Sequence, residues 1–263
     1  MPTKPLLGNW QEELAYEADR KNLHLTRREM GTLISQQIIM KIKQHTSPCQ
    51  LGAIDSDGFL RFGVPVSLKS VETCCFLSVD MDDKYLGPNG WKVVGSTGNG
   101  YSQLRNSWVM VPVPSEDDAY WQQRGEADIV HYGQKFLISS VSELADPPIF
   151  LTSEMKSPSS VSRITSNQEV YFSSNGGLGS YWVVEFGNPE YREDVEGQPA
   201  KAESVFIIKH AATNNFLASF SKKFVNDFGV ENEICCSRVQ EYASKAGKAP
   251  EQKSNFWTFV HNQ

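Results

Sequence analysis

The residues best able to do chemistry in this chain are its five histidines, five cysteines and a carboxylate cluster, and their spacing decides what they could do. His24, His45, His131, His210 and His261 are scattered, with no His-x-x-x-His pair, and no two cysteines form Cys-x-x-Cys. A zinc site or a Cys/His nucleophile therefore has no local support. Asp80, Asp82 and Asp83 resemble the opening of a calcium loop, but counting from Asp80 puts Tyr85 where the sharp turn needs Gly and Trp91 where the closing Glu belongs. The cluster reads instead as a solvated turn. Gly95-Ser96-Thr97-Gly98-Asn99-Gly100 and Asn175-Gly176-Gly177-Leu178-Gly179 are rich in glycine, yet neither ends in Gly-Lys-Ser/Thr nor opens a helical pattern. Both are expected to be turns between strands. No catalytic residue, metal or cofactor is expected, and the chain reads as a protein without enzymatic activity.

Elements that could position any site come from a threefold repetition. Trp108-Val109-Met110-Val111, Trp182-Val183-Val184-Glu185 and Trp257-Thr258-Phe259-Val260 each close a segment with the same local pattern. Upstream, Val66-Ser67-Leu68-Lys69, Phe136-Leu137-Ile138-Ser139 and Phe206-Ile207-Ile208-Lys209 hold a spacing of 70 residues twice. Two further strands fall between them in each unit: Cys75 to Ser78 and Trp91 to Val94, Ile149 to Thr152 and Glu169 to Phe172, Asn215 to Ala218 and Glu233 to Cys236. A four-stranded unit cannot bury its own apolar face and leaves open edges, whereas three units packed around an axis share one core. The pattern predicts an all-β fold, a β-trefoil of three four-stranded units at about 59–113, 129–186 and 203–261, with Trp108, Trp182 and Trp257 as equivalent core residues.

An N-terminal arm over residues 1–48 lies outside the repeat, which with its loops occupies 49–263. Thr26-Arg27-Arg28-Glu29 has capping-box spacing, so a helix is expected to begin near Arg27, with Met30, Leu33, Ile34, Ile38 and Ile42 as its apolar stripe and Pro48 beyond its end. An earlier helix is expected from about Gln11 to Arg20. The stripe could pack on the barrel or bind a partner. The first ten residues, with Pro2, Pro5, Gly8 and Trp10, cannot fold alone and suggest a segment that orders on something else.

The full chain carries a net charge of −6; residues 1–48 hold seven Lys or Arg and five Asp or Glu, so the arm is +2 and the body −8. That balance argues against nucleic acid as the main partner. No leader-like apolar segment and no stretch long enough to span a bilayer is apparent, so neither export nor membrane insertion is expected. Adjacent Cys74-Cys75 and Cys235-Cys236 point to opposite faces of a strand, and no Asn-x-Ser/Thr sequon occurs; both fit a reducing compartment.

Residue patterns more specific than the fold now emerge. Phe62-Gly63-Val64-Pro65-Val66-Ser67-Leu68, Tyr132-Gly133-Gln134-Lys135-Phe136-Leu137-Ile138, the run Ala211 to Ser219 and the Asn255-Phe256-Trp257 ending are similar to MIR-type trefoils. Together with Gly8-Asn9-Trp10-Gln11-Glu12-Glu13 and Asp57-Gly58-Phe59-Leu60-Arg61-Phe62-Gly63, the chain resembles the cilia- and flagella-associated protein 161 family over almost its whole length. The resemblance implies a structural microtubule inner protein, without known catalysis, bound to tubulin and other inner proteins inside axonemal doublets of a cilium or flagellum. It implies partner contacts at Gly8, Asn9 and Trp10, which match the family's N-terminal motif; Arg27 and Arg28, on the expected helix, join them as candidates. Members of that family run on past the last Trp strand, whereas six residues follow Trp257 here, so no contact of such a tail is carried over. Tubulin is itself acidic, so binding by a −8 body has to rest on shape, apolar anchors and local Lys or Arg. The competing reading is a lectin-like carbohydrate-binding trefoil, because such proteins also repeat a Trp near the end of each unit.

Overall fold

A computed structural model describes residues 10–85, 89–98, 101–115, 118–158, 160–238 and 252–262. The chain divides into two compact units, Met1–His45 and Thr46–Gln263, so residues 46–48 group with the strands rather than with the arm.

Within the second unit the fold is mostly β. Twelve antiparallel strands share one sheet: β1 (Pro65–Ser70), β2 (Phe76–Lys84), β3 (Gly90–Ser96), β4 (Trp108–Pro112), β5 (Lys135–Ser140), β6 (Phe150–Ser153), β7 (Val170–Ser173), β8 (Trp182–Phe186), β9 (Val205–His210), β10 (Phe216–Asn226), β11 (Gly229–Ser237) and β12 (Phe256–Val260). Each overlaps a segment expected from the repeat. Six of them close on one another: β1 pairs with β4, β4 with β5, β5 with β8, β8 with β9, β9 with β12, and β12 with β1. Closure of this barrel-like ring leaves none of those six with a free edge. Period-two alternation explains why these segments are strands. In β12, Trp257 and Phe259 are buried while Phe256, Thr258 and Val260 are half-exposed.

The other six strands form hairpins at one end, β2–β3, β6–β7 and β10–β11, tied together through β3–β7 and β3–β11 pairing. At the opposite end, where β1, β5 and β9 begin, three short segments close a backbone triangle. Leu60 N–H donates to Ala200, Ala200 N–H to Val130, and Val130 N–H to Leu60, each at 2.8 Å. Their side chains are fully buried and plug the barrel mouth. The core joins both ends, with Val66, Phe136 and Phe206, Leu77, Leu151 and Leu217, and the three tryptophans in one cluster.

The arm differs from expectation in its boundaries: the helix expected from about Gln11 to Arg20 falls within a longer one, and no helix begins near Arg27. Its first helix, α1, runs over Trp10–Glu29, and α2 over Ile34–His45. Thr26 is no cap: it sits in the last turns of α1, where its hydroxyl donates to the Asn22 carbonyl at 2.9 Å. The break comes at Gly31, whose φ of +69° is the left-handed conformation that ends helices, with Thr32 N–H donating to Arg27 O at 2.9 Å. Glu12 and Glu13 in the first turn of α1 and Arg27 and Arg28 in the last complement the helix dipole. The expected stripe is split, because Met30 and Leu33 lie in the connection and only Ile34, Ile38 and Ile42 share α2.

Two shorter helices interrupt the long loops, α3 (Asp118–Arg124) and α4 (Arg192–Val195). Residues 239–251, between β11 and β12, lie outside the described residues.

Candidate functional site

The repeated tryptophans occupy one chemical environment three times. Trp108, Trp182 and Trp257 are all fully buried, and each indole Nε1–H donates to the carbonyl of a second-strand leucine: Leu77 at 2.9 Å, Leu151 at 2.8 Å and Leu217 at 2.9 Å. A 3-10 turn before each strand aims the ring. In two units that turn is closed by an asparagine: Gln103 N–H donates to Asn106 Oδ1 at 2.8 Å, and Gln252 N–H to Asn255 Oδ1 at 2.9 Å. The shared Gln-x-x-Asn-x-Trp pattern was legible in the chain, and sequence reasoning missed it. In the middle unit Ser180 replaces the asparagine and its hydroxyl accepts from Gly177 N–H at 3.5 Å. Trp108 stacks on Phe172 at 4.3 Å, and Trp182 lies 5.0 Å from His210. With no exposed face, none of the three rings can stack on a sugar, and the feature that suggested carbohydrate binding is removed.

Titratable groups are used internally. Arg105, just before β4, is buried against Glu231 of β11 with N to O at 2.8 Å; its Nε donates to Val79 O at 3.2 Å and its guanidinium lies 3.7 Å from the Phe228 ring centre. Asp80, Asp82 and Asp83 do not form the expected solvated turn but lie on β2, at a register shift against β3. Asp80 is buried and accepts from Asp82 N–H at 3.1 Å, and Asp83 pairs with Lys92 at 2.9 Å. A local bulge keeps the strand going where three carboxylates suggested it should stop. Burial holds the Cys75 and Cys236 thiols up and pushes Cys235 up to about 12, so these sulfurs are poor nucleophiles. His210 and His261 are held below the ordinary imidazole value by burial. Among the described residues no group of three His, Cys, Asp or Glu side chains could hold a metal, and no helix is long and apolar enough to cross a membrane.

Glu169 is held well above the usual carboxylate range. Burial first, then the neighbouring Glu233 carboxylate, raise it from 4.5 to about 7, while Lys92 opposes the rise. Because the folded carboxyl holds its proton more tightly than the unfolded one, the cost of ionising it grows as pH rises from about 4.5 to about 7 and is constant above. Glu169→Gln is therefore expected to raise the unfolding midpoint at pH 8 and leave it little changed at pH 4, measured by thermal melts at both. An equal shift at the two pH values would assign the effect to packing instead.

A second threefold set went unread although its spacing is 70 residues twice. Arg61, His131 and Lys201 flank the backbone triangle at equivalent positions. Arg61 is clasped by Asp55, Asp57 and Asp128; His131 stacks on Trp121 at 4.6 Å, with Glu126 3.5 Å away; Lys201 is exposed.

Of the expected partner contacts, Gly8 and Asn9 lie outside the described residues. Trp10 opens α1 with 79% of its surface exposed, and Arg27 and Arg28 lie at the far end, separated from it by most of the helix. No residue of α1 is buried, and Leu14, Tyr16, Leu23 and Leu25 are exposed along it.

A closed barrel-like β domain with a helical arm, its three repeated tryptophans turned inward, defines a mostly β scaffold. Residues 98–262 match the cilia- and flagella-associated protein 161-like domain, and the chain belongs to that family. It is 25% identical to cilia- and flagella-associated protein 161 of Danio rerio, over 96% of this chain and 85% of that protein, and 24% identical to that of Bos taurus, over 97% and 80%. Among solved structures, an SDF2-like protein from Arabidopsis thaliana superposes with a TM-score of 0.55 at 19% identity, covering 77% of this chain and 94% of that one. A Caenorhabditis elegans protein of unknown function does so with a TM-score of 0.55 at 14% identity, covering 79% and 98%. These two show likeness of fold alone.

Proposed function

We propose that the chain is a non-enzymatic structural protein of the cilium or flagellum, a microtubule inner protein held on the luminal wall of axonemal doublets. Membership of the cilia- and flagella-associated protein 161-like family is the observation that carries this reading. Its strands are read as a β-trefoil of three four-stranded units, β1–β4, β5–β8 and β9–β12. The cyclic Leu60–Val130–Ala200 hydrogen bonds and the repeated indole-to-leucine bonds support that reading. In it the trefoil is the rigid body and residues 1–48 are the fastening arm, reaching tubulin and neighbouring inner proteins through Gly8, Asn9 and Trp10, with Arg27 and Arg28 as further contacts. The exposed apolar residues along α1 support the arm's role, since a helix with no buried residue gains nothing from folding alone.

The test is expression of the full chain and of a form lacking residues 1–45, which leaves the 46–48 contacts of the β unit in place, in a ciliated cell, with high-salt extraction of axonemes. An enclosed protein held by buried apolar contacts is expected to stay with the doublets, because salt screens charges but neither unmakes such contacts nor opens the wall. The truncated form is expected to incorporate less while keeping its fold. Release of the full chain with outer-surface components would refute the luminal assignment, and equal incorporation of both forms would refute the arm's role.

A further inference from the structure

On a body whose net charge is −8, one cleft is rimmed by cations. It has a volume of about 530 Å³, a size typical of ligand sites, and lies between the end of β6, the turn from β9 to β10 and the end of β11. Lys156, after β6, and Arg238, after β11, stand at its rim, both exposed, and neither is ion-paired among the described residues. Its floor is a locked polar network around the buried Gln168. That side chain donates from Nε2 to Ser153 Oγ at 2.7 Å and to Thr213 Oγ1 at 3.0 Å, and accepts from Asn215 Nδ2 at 2.6 Å; its backbone carbonyl accepts from Cys236 N–H at 2.8 Å.

We propose that this cleft docks an extended acidic segment of a partner protein. Three observations select that occupant. Both amide hydrogens of Gln168 are already committed, so the floor does not supply the converging free donors that a compact oxyanion such as phosphate needs. Among the described residues no aromatic ring lines the cleft, so these walls give a sugar no stacking platform. The two cations come from separate elements on either side of a preorganised floor, which suits carboxylates spaced along a chain. The cleft also gives an acidic body a local route to an acidic partner. It adds to the axonemal reading without depending on it, since it is measured with the purified chain.

Fluorescence anisotropy of the full chain with a labelled peptide of repeating Glu-Gly tests the proposal. Saturable binding that weakens with added salt is expected, with Lys156→Glu/Arg238→Glu losing about tenfold or more in affinity and Arg238→Gln alone a smaller part of it. Reversing Lys135 and Lys201, at the opposite end of the barrel, is expected to change little. Unaltered melting of the variants would confirm intact folding, as both residues are exposed. The proposal fails if the double reversal binds as well as the unaltered chain, if the Lys135/Lys201 control loses as much, or if inorganic phosphate displaces the peptide at matched charge. Such a failure leaves the axonemal extraction result untouched.

Discussion

Trp182→Ala is expected to lower the stability of the barrel by roughly 3 to 5 kcal/mol, the cost of emptying a fully buried aromatic site. Against a total of about 5 to 15 kcal/mol for a domain, that loss removes about a fifth of the margin or more. Two effects contribute and they can be separated. Trp182→Phe keeps most of the ring volume but deletes the Nε1–H, leaving the Leu151 carbonyl without its indole donor in the core, and should cost about 1 to 3 kcal/mol for that lost partner together with any gap. Trp108→Ala and Trp257→Ala should behave alike, because their indoles make the same bond to Leu77 and Leu217. Urea denaturation of the three variants provides the measurement. Losses below about 1 kcal/mol at any one position would mean that the site is not held as the buried indole and its bond imply.

The same residues show what could be read in advance and what could not. Strand positions were legible because period-two alternation and large apolar residues recur at a fixed spacing, and burial on one face enforces that pattern. The arm was misread for the opposite reason. Residues of α1 bury nothing, so no apolar stripe marked the helix, and a Thr-x-x-Glu match that occurs inside a helix was taken as its start. Good helix formers with acidic residues first and basic residues last were the better signal. Asp80 misled because a carboxylate cluster on a strand looks like a turn until its bulge and the Lys92 partner of Asp83 are seen. The Lys156–Arg238 cleft could not have been found, since its walls are brought together only by the pairing of hairpins from different units.

Arg105 was equally invisible, and its removal is the second large effect expected. Arg105→Met should destabilise the barrel by roughly 3 to 5 kcal/mol, because it leaves the Glu231 carboxylate in the core without its charge partner. Among the described residues Glu231 would keep the amide of Asn226, and the Val79 carbonyl would lose a donor. The loss should be far from additive. In Arg105→Met/Glu231→Met both charges are gone, and most of the stability should return, because apolar side chains of similar size avoid the desolvation that the ion pair must offset. Since Arg105 precedes β4 and Glu231 lies in β11, the pair links the first four-stranded stretch to the last. Chemical denaturation of both single variants and the double separates the two roles. A double variant as stable as the parent but with a broadened transition would show that the pair selects one arrangement of the hairpins more than it strengthens it. A single Arg105→Met variant losing less than about 1 kcal/mol would mean that water reaches Glu231, and that the buried pair is not what joins these strands.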